Sequence, residues 1–154
     1  QFGLLNRAER VTGLSLAPVS ILSQNRTQAV VWADSVLAPN AGVRYSTEIF
    51  YSLFSVGIRP GPKEDRLLGA GGALGLELGR IGPIAASADV FYRYLLPDFE
   101  GEPYRDEHST VLRGLAAWEL GKVSVFAGLG AESRVRGDDS HDFRPYVAAG
   151  LALF

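Results

Sequence analysis

The chain has no cysteine and no methionine among its 154 residues. Without Cys there are no disulfides, no thiolate metal ligands and no Cys nucleophile. With no Met even at position 1, Gln1 reads as the first residue of a processed or trimmed chain. A removed signal peptide and a simple cut boundary are the two ready causes. Lysine is scarce as well, with only Lys63 and Lys122. The net charge is -2, so no basic excess points to nucleic acid. No apolar run approaches the ~18 residues of a membrane helix. The longest uncharged stretch, 11–25, carries Thr, Ser, Pro, Gln and Asn. A helical membrane protein is therefore excluded, but a β membrane protein is not, because its signal per strand is much weaker. The length fits a single domain, 1–154.

What is present is alternation. In "LLGAGGALGLELGR", Leu68, Ala70, Gly72, Leu74, Leu76 and Leu78 fall on one face, and Gly69, Gly71, Ala73, Gly75, Glu77 and Gly79 on the other. A helix with that much Gly would be unstable, whereas an alternating strand accepts it. The same period runs through "IAASADVFYRYLL", "VLRGLAAWEL", "VSVFAGLGAESRV" and the last strand, "RPYVAAGLALF". It also runs through "QAVVWADSVLAPNAGVRYS", with Ala29, Val31, Ala33, Leu37, Ala41, Val43 and Tyr45 on the apolar face. Breaks between these runs predict eight strands, near 10–23, 28–46, 49–59, 66–79, 83–96, 108–120, 122–136 and 143–154. Strand 49–59 has two mostly apolar faces, and Pro18 marks a bulge or break in the first strand. The second, fourth and sixth connections are short turns. The third, fifth and seventh are longer polar loops, and only the first, "NRTQ", is too short for that rhythm. Even strand number with alternating turns and loops is how an up-and-down outer-membrane barrel is organised.

The charges decide which face is wet. Asp34, Arg44, Glu77, Asp89, Arg93, Arg113, Glu119, Glu132, Arg134 and Arg144 all share one face. The opposite face holds Leu, Val, Ala, Tyr and Trp. A soluble barrel of lipocalin type would turn the charges to water and line an apolar cavity with the other set. Its outer face would then be Gly-rich and nearly free of Lys. A membrane barrel turns the faces around. Gly and Ala make room inside for five acids and five Arg, which must pair in a low-dielectric lumen, and Arg suits bidentate pairing. Tyr45, Tyr51, Tyr92, Tyr94 and Trp118 are then expected on the lipid face, several near strand ends where aromatic girdles lie. An eight-stranded interior is just wide enough for side chains to fill, so no open channel is expected, with a narrow ion-conducting pore as a third option.

This pattern resembles the small eight-stranded outer-membrane proteins of the OmpA/OmpX type. In that group the last strand commonly ends in Phe and is read by the barrel-assembly machinery. "YVAAGLALF", from Tyr146 to Phe154, is similar to that signal. The resemblance implies an all-β, eight-stranded antiparallel up-and-down transmembrane barrel in a bacterial outer membrane. Its partners would be the lipid bilayer and, during biogenesis, the assembly machinery. In the family's signal the terminal aromatic belongs to the outward set, whereas the alternation here puts Phe154 with the interior set. A bulge near Ala152 would reconcile the two. Residues 6–22 also resemble one unit of bacterial surface-repeat barrel proteins, with Asn6, Ala8, Val11, Gly13, Leu14, Leu16 and Val19 matching.

Catalytic constellations are weak. Lipid A deacylases use a His-x-Ser pair, whose members share a face at i and i+2. Here His108-Ser109 and Ser140-His141 are adjacent instead. Glu77, Glu119 and Glu132 read as Arg partners rather than metal ligands, since no His joins them. The Gly-rich run lacks the Lys-Ser/Thr of a phosphate loop. The expectation is a barrel that is not an enzyme, with no cofactor and no metal. Its role is structural or surface-interaction based, through loops 60–65, 97–107 and 137–142. Phe99 and Tyr104 in "PDFEGEPYRDE" are the candidates for contact with a protein partner.

Overall fold

The computed structural model describes residues 5–8, 19–22, 26–60, 67–97, 107–136 and 140–154. Eight strands close into an antiparallel barrel: β3 (Arg26–Asp34), β4 (Asn40–Ser46), β5 (Phe50–Arg59), β6 (Leu67–Ile81), β7 (Ile84–Pro97), β8 (Glu107–Leu120), β9 (Val123–Arg136) and β10 (Ser140–Leu153). Closure is made by β10 against β3, from Ala148 opposite Asp34 to Leu153 opposite Ala29. Every barrel strand then has a neighbour on each side, although residues 140–147 of β10 run beyond its register with β3. A separate parallel pair joins β1 (Leu5–Ala8) and β2 (Val19–Leu22).

The strand count matches the expectation, but two errors cancel in it. The segment 10–23 does not supply a barrel strand: its described part, 19–22, pairs with β1, and Pro18 lies outside the described residues. The segment 28–46 is two strands, split by the five residues Ser35–Pro39, with a cis Ala38–Pro39 bond. "NRTQ" fitted no connection because Arg26, Thr27 and Gln28 already belong to β3. Leu37 consequently leaves the outward set and is buried in the first loop.

Connections then sort by end. Residues 47–49, 82–83 and 121–122 close one end, where β3 starts and β10 finishes. Residues 35–39, 60–66, 98–106 and 137–139 connect strands at the other. The two-residue turns begin with Gly82 (φ 60) and Gly121 (φ 72). A positive φ at the first central position matches the twist of a right-twisted hairpin, and Pro83 can follow because its φ is fixed negative. We call these the turn end and the loop end.

Side chains alternate as the pleat requires. Trp32, Phe91, Val111, Tyr146 and Ala148 are buried inside, while Val31, Val90, Leu112 and Val147 beside them are exposed outside. One bulge interrupts this parity. Glu77 pairs with Ser87 and Gly79 with Ala86, so Leu78 is skipped. From there Arg80, rather than Gly79, lies opposite the inward-facing Ala85. Near Ala152 the ladder to both neighbours is regular. Phe154 therefore keeps the interior parity and stands at the turn-end mouth, its N–H donating to the carbonyl of Lys122.

Candidate functional site

The lumen is the only place where chemistry-bearing side chains converge among the described residues, and its two halves differ. At the loop end, Asp34 Oδ1 accepts the N–H groups of Val36 (2.8 Å) and Leu37 (2.9 Å). This side-chain-to-backbone turn folds the first loop back over the mouth. Asn40 Nδ2 holds the loop from below, donating to the Leu37 carbonyl at 2.8 Å. The side chain of Leu37 packs with Val36, Leu95 and Leu67. It fits there because Gly57 and Gly69 lie beneath it, where a Cβ would collide with its methyl group or with Asn40.

Below this stopper is a layer of buried ions. Arg93 Nη1 donates to both oxygens of Asp34 at 3.2 Å, and its Nη2 lies 4.0 Å from Glu132. Tyr146 Oη donates to Asp34 at 3.1 Å, as does Trp32 Nε1 at 3.2 Å. Arg113 is bidentate to Asp89, with Nε at 2.7 Å and Nη2 at 3.1 Å, and its Nη1 reaches the Tyr146 oxygen at 3.3 Å. Tyr51 donates to the other side of Asp89. Phe91 fills the space between: the Arg113 guanidinium lies 4.6 Å above its ring and Trp32 meets it edge-on. Gly71, Gly75 and Gly130 are the facing positions that leave room for Arg93, Tyr51 and Arg113. Such pairs survive burial only when hydrogen bonds close around both charges, and the Asp89–Arg113–Tyr51–Tyr146 group meets that condition. Nearer the loop end the satisfaction is incomplete. Arg93 Nε and Nη2, Ser109 Oγ, Glu132 Oε1 and Arg134 Nε have no hydrogen-bond partner among the described residues, although Arg134 Nη2 pairs with Glu107 at 2.7 Å.

The turn-end half is open. A cavity of about 430 Å³ runs from the mouth down to Arg113. Small side chains make the space: Ala85, Ser87, Ala117, Ser124 and Ala152. Arg44 pairs with Glu77 at 2.6 Å and stacks over the Tyr51 ring at 3.7 Å. Arg80, brought in by the bulge, pairs with Glu119, and Arg26 lies 3.9 Å from the same carboxylate.

The structure thus places Asp34, Arg44, Glu77, Asp89, Arg93, Arg113, Glu119, Glu132 and Arg134 in the lumen. Arg144 departs from this group: it is half exposed and pairs along its own strand with Asp142. Tyr51, expected on the lipid face, is inside. Its parity is that of Leu53 and Gly57, which the two apolar faces of that strand concealed. Tyr146, expected as part of an assembly signal, is buried between Asp34 and Arg113. Arg80 and Glu107 stand outside the expected set, because Arg80 follows a bulge and Glu107 reads as part of a loop. His108 stacks beside Tyr92 while Ser109 is buried inside, so the two diverge. Among the described residues no group of three or more His, Cys, Asp or Glu is arranged to hold a metal. Phe99, Tyr104 and most of the three polar loops lie outside the described residues. Compared with family models, curated proteins and solved structures, the chain has no match.

Proposed function

We propose that this small closed barrel sits in a bacterial outer membrane and has a structural or surface-interaction role of the OmpA/OmpX kind. One observation carries the reading: the charge is inside and the apolar surface is outside. Val43, Phe54, Leu74, Leu112, Leu129 and Leu151, from six different strands, are all exposed on the outer wall. Exposed apolar side chains around the wall, strand after strand, differ from the scattered single residues normal on a soluble monomer. Phe50 and Trp118 stand outward near the turn end, and Phe143 near the loop end, where girdles at the two interfaces would lie. A soluble barrel storing an apolar ligand needs the opposite arrangement, with its apolar set lining the lumen.

In this reading the turn end faces the periplasm and the loop end faces outward, with the loops around Phe99 and Tyr104 as the surface offered to a partner. Phe154 serves the assembly machinery from the turn end. The stopper and the ion layer fill the loop half of the lumen, which argues against a steady pore. No enzyme activity is proposed. The test is a gel of the detergent-folded protein, boiled and unboiled, beside circular dichroism. The expected result is a faster unboiled band and a β signal that needs detergent or lipid. A folded, monodisperse protein in plain buffer would overturn the proposal.

A further inference from the structure

We propose that the turn-end cavity is a binding site for a small neutral polyhydroxylated molecule, a mono- or disaccharide. The site stands on the barrel alone and does not depend on the membrane reading. An eight-stranded barrel has an interior that ordinary side chains fill. Here the loop half follows that rule and the turn half does not. Its volume of about 430 Å³ lies within the ~300–1,000 Å³ typical of small-molecule sites.

The lining defines what fits. Gln28, Ser87 and Ser124 are each more than nine-tenths buried, line the cavity, and hold no side-chain hydrogen bond among the described residues. Their amide and hydroxyl groups both donate and accept, so they suit a ligand that does the same. Their polar atoms open onto the cavity, so whatever occupies it, solvent water or a ligand that displaces that water, makes their hydrogen bonds. The charges exclude a charged ligand. Arg26, Arg44, Arg80 and Arg113 are matched by Glu48, Glu77, Glu119 and, at the floor, Asp89. An ion entering would lose its hydration with no net attraction in return. Between the polar groups lie Val30, Leu53, Leu115 and the Phe126 ring, which offer C–H and aromatic surface to a sugar ring. A neutral molecule with hydroxyls on its edge and C–H groups on its faces meets all three conditions.

Trp32 lines this cavity, and the other tryptophan, Trp118, is on the outer wall. A Trp118→Phe protein therefore carries a single reporter. It is folded in a zwitterionic detergent without a sugar headgroup, or in plain buffer if it proves soluble there, and folding is verified by gel mobility. Sucrose and maltose are titrated, with glutamate (an anion) and choline (a cation) as charged comparisons. The expected result is a saturable change in Trp32 emission with a neutral disaccharide and none with the charged molecules. Ser124→Leu, which fills the cavity, should weaken that response by roughly tenfold or more, and Val125→Leu, on the outer face of the same strand, should leave it unchanged. If Ser124→Leu does not fold, Ser124→Ala removes the hydroxyl alone and should weaken it also. A folded protein with no saturable response, a response that neither Ser124 variant alters, or a preference for the charged molecules would overturn the proposal.

Discussion

At the scale of single residues, the centre of the barrel is a set of charges that cannot lose one member. Arg113 and Asp89 are almost wholly enclosed. Arg113→Ala would leave Asp89 buried with only Tyr51 beside it, and breaking a buried pair in this way costs about 3–5 kcal/mol. Denaturant unfolding of the folded barrel, followed by fluorescence, should show a loss of that size. The double change Asp89→Leu with Arg113→Met should recover most of it, because the penalty belongs to the stranded charge rather than to the missing attraction. Tyr51→Phe is a finer probe. It keeps the ring under Arg44 and removes only the hydroxyl that donates to Asp89, so the same assay should register about 1.5–3 kcal/mol. Tyr51 also shows where the sequence stops being legible. Alternation reveals a face only when the two sides differ, and "IFYSLFSVGIR" is apolar on both. Most ion positions in β6 to β10 are legible because Gly, Ser and charge alternate there with Leu and Val; the exceptions include Arg80, past the bulge at Leu78, and Arg144, which is half exposed beside Asp142.

At the scale of elements, the informative places are where period two is broken. The first loop is hidden in the sequence because "SVLAP" is as apolar as the strands it joins. Leu37 is the one face assignment it costs; the strands on either side keep theirs, since Asp34 and Asn40 are six residues apart and an even step returns the chain to the same side. Leu78 is the opposite case: a single extra residue shifts the parity, and Arg80 arrives in the lumen from what reads as a turn. The turns themselves depend on glycine only at specific positions. Gly121 has φ 72, a region that costs an L residue about 1–2 kcal/mol, so Gly121→Ala should destabilise by that amount. Gly114 has ordinary backbone and nothing within 4 Å of an added Cβ. Gly114→Ala should be neutral or stabilise by about 0.4–1 kcal/mol, through the reduced freedom of the unfolded chain. Parallel unfolding curves of the two variants check both signs at once.

At the scale of the whole molecule, the question is which medium surrounds the outer wall, and a depth series answers it. Leu129 is at the middle of β9 and 72% exposed, and Leu120 is at the turn end of β8 and 51% exposed. Both point outward, and neither touches the ion layer. If the wall meets water, arginine at either position is a surface substitution worth little in either direction. If it meets lipid, the cost follows depth: about 2–4 kcal/mol for Arg at the midplane and about 0–1 kcal/mol near the interface. Leu129→Arg should therefore lower the unfolding free energy in lipid vesicles by the larger amount and Leu120→Arg by the smaller. The difference between the two, rather than either value, is the quantity to read, because it cancels the loss of the leucine itself. Equal small effects at both sites would mean that the belt is not immersed in a bilayer. A gradient would mark the midplane close to the level of Leu129, with the buried pair of Arg113 and Asp89 across the wall from it, since Arg113 is opposite Gly130 in the same register. The protein's least replaceable charges would then sit at the depth where the surrounding medium is least able to solvate them.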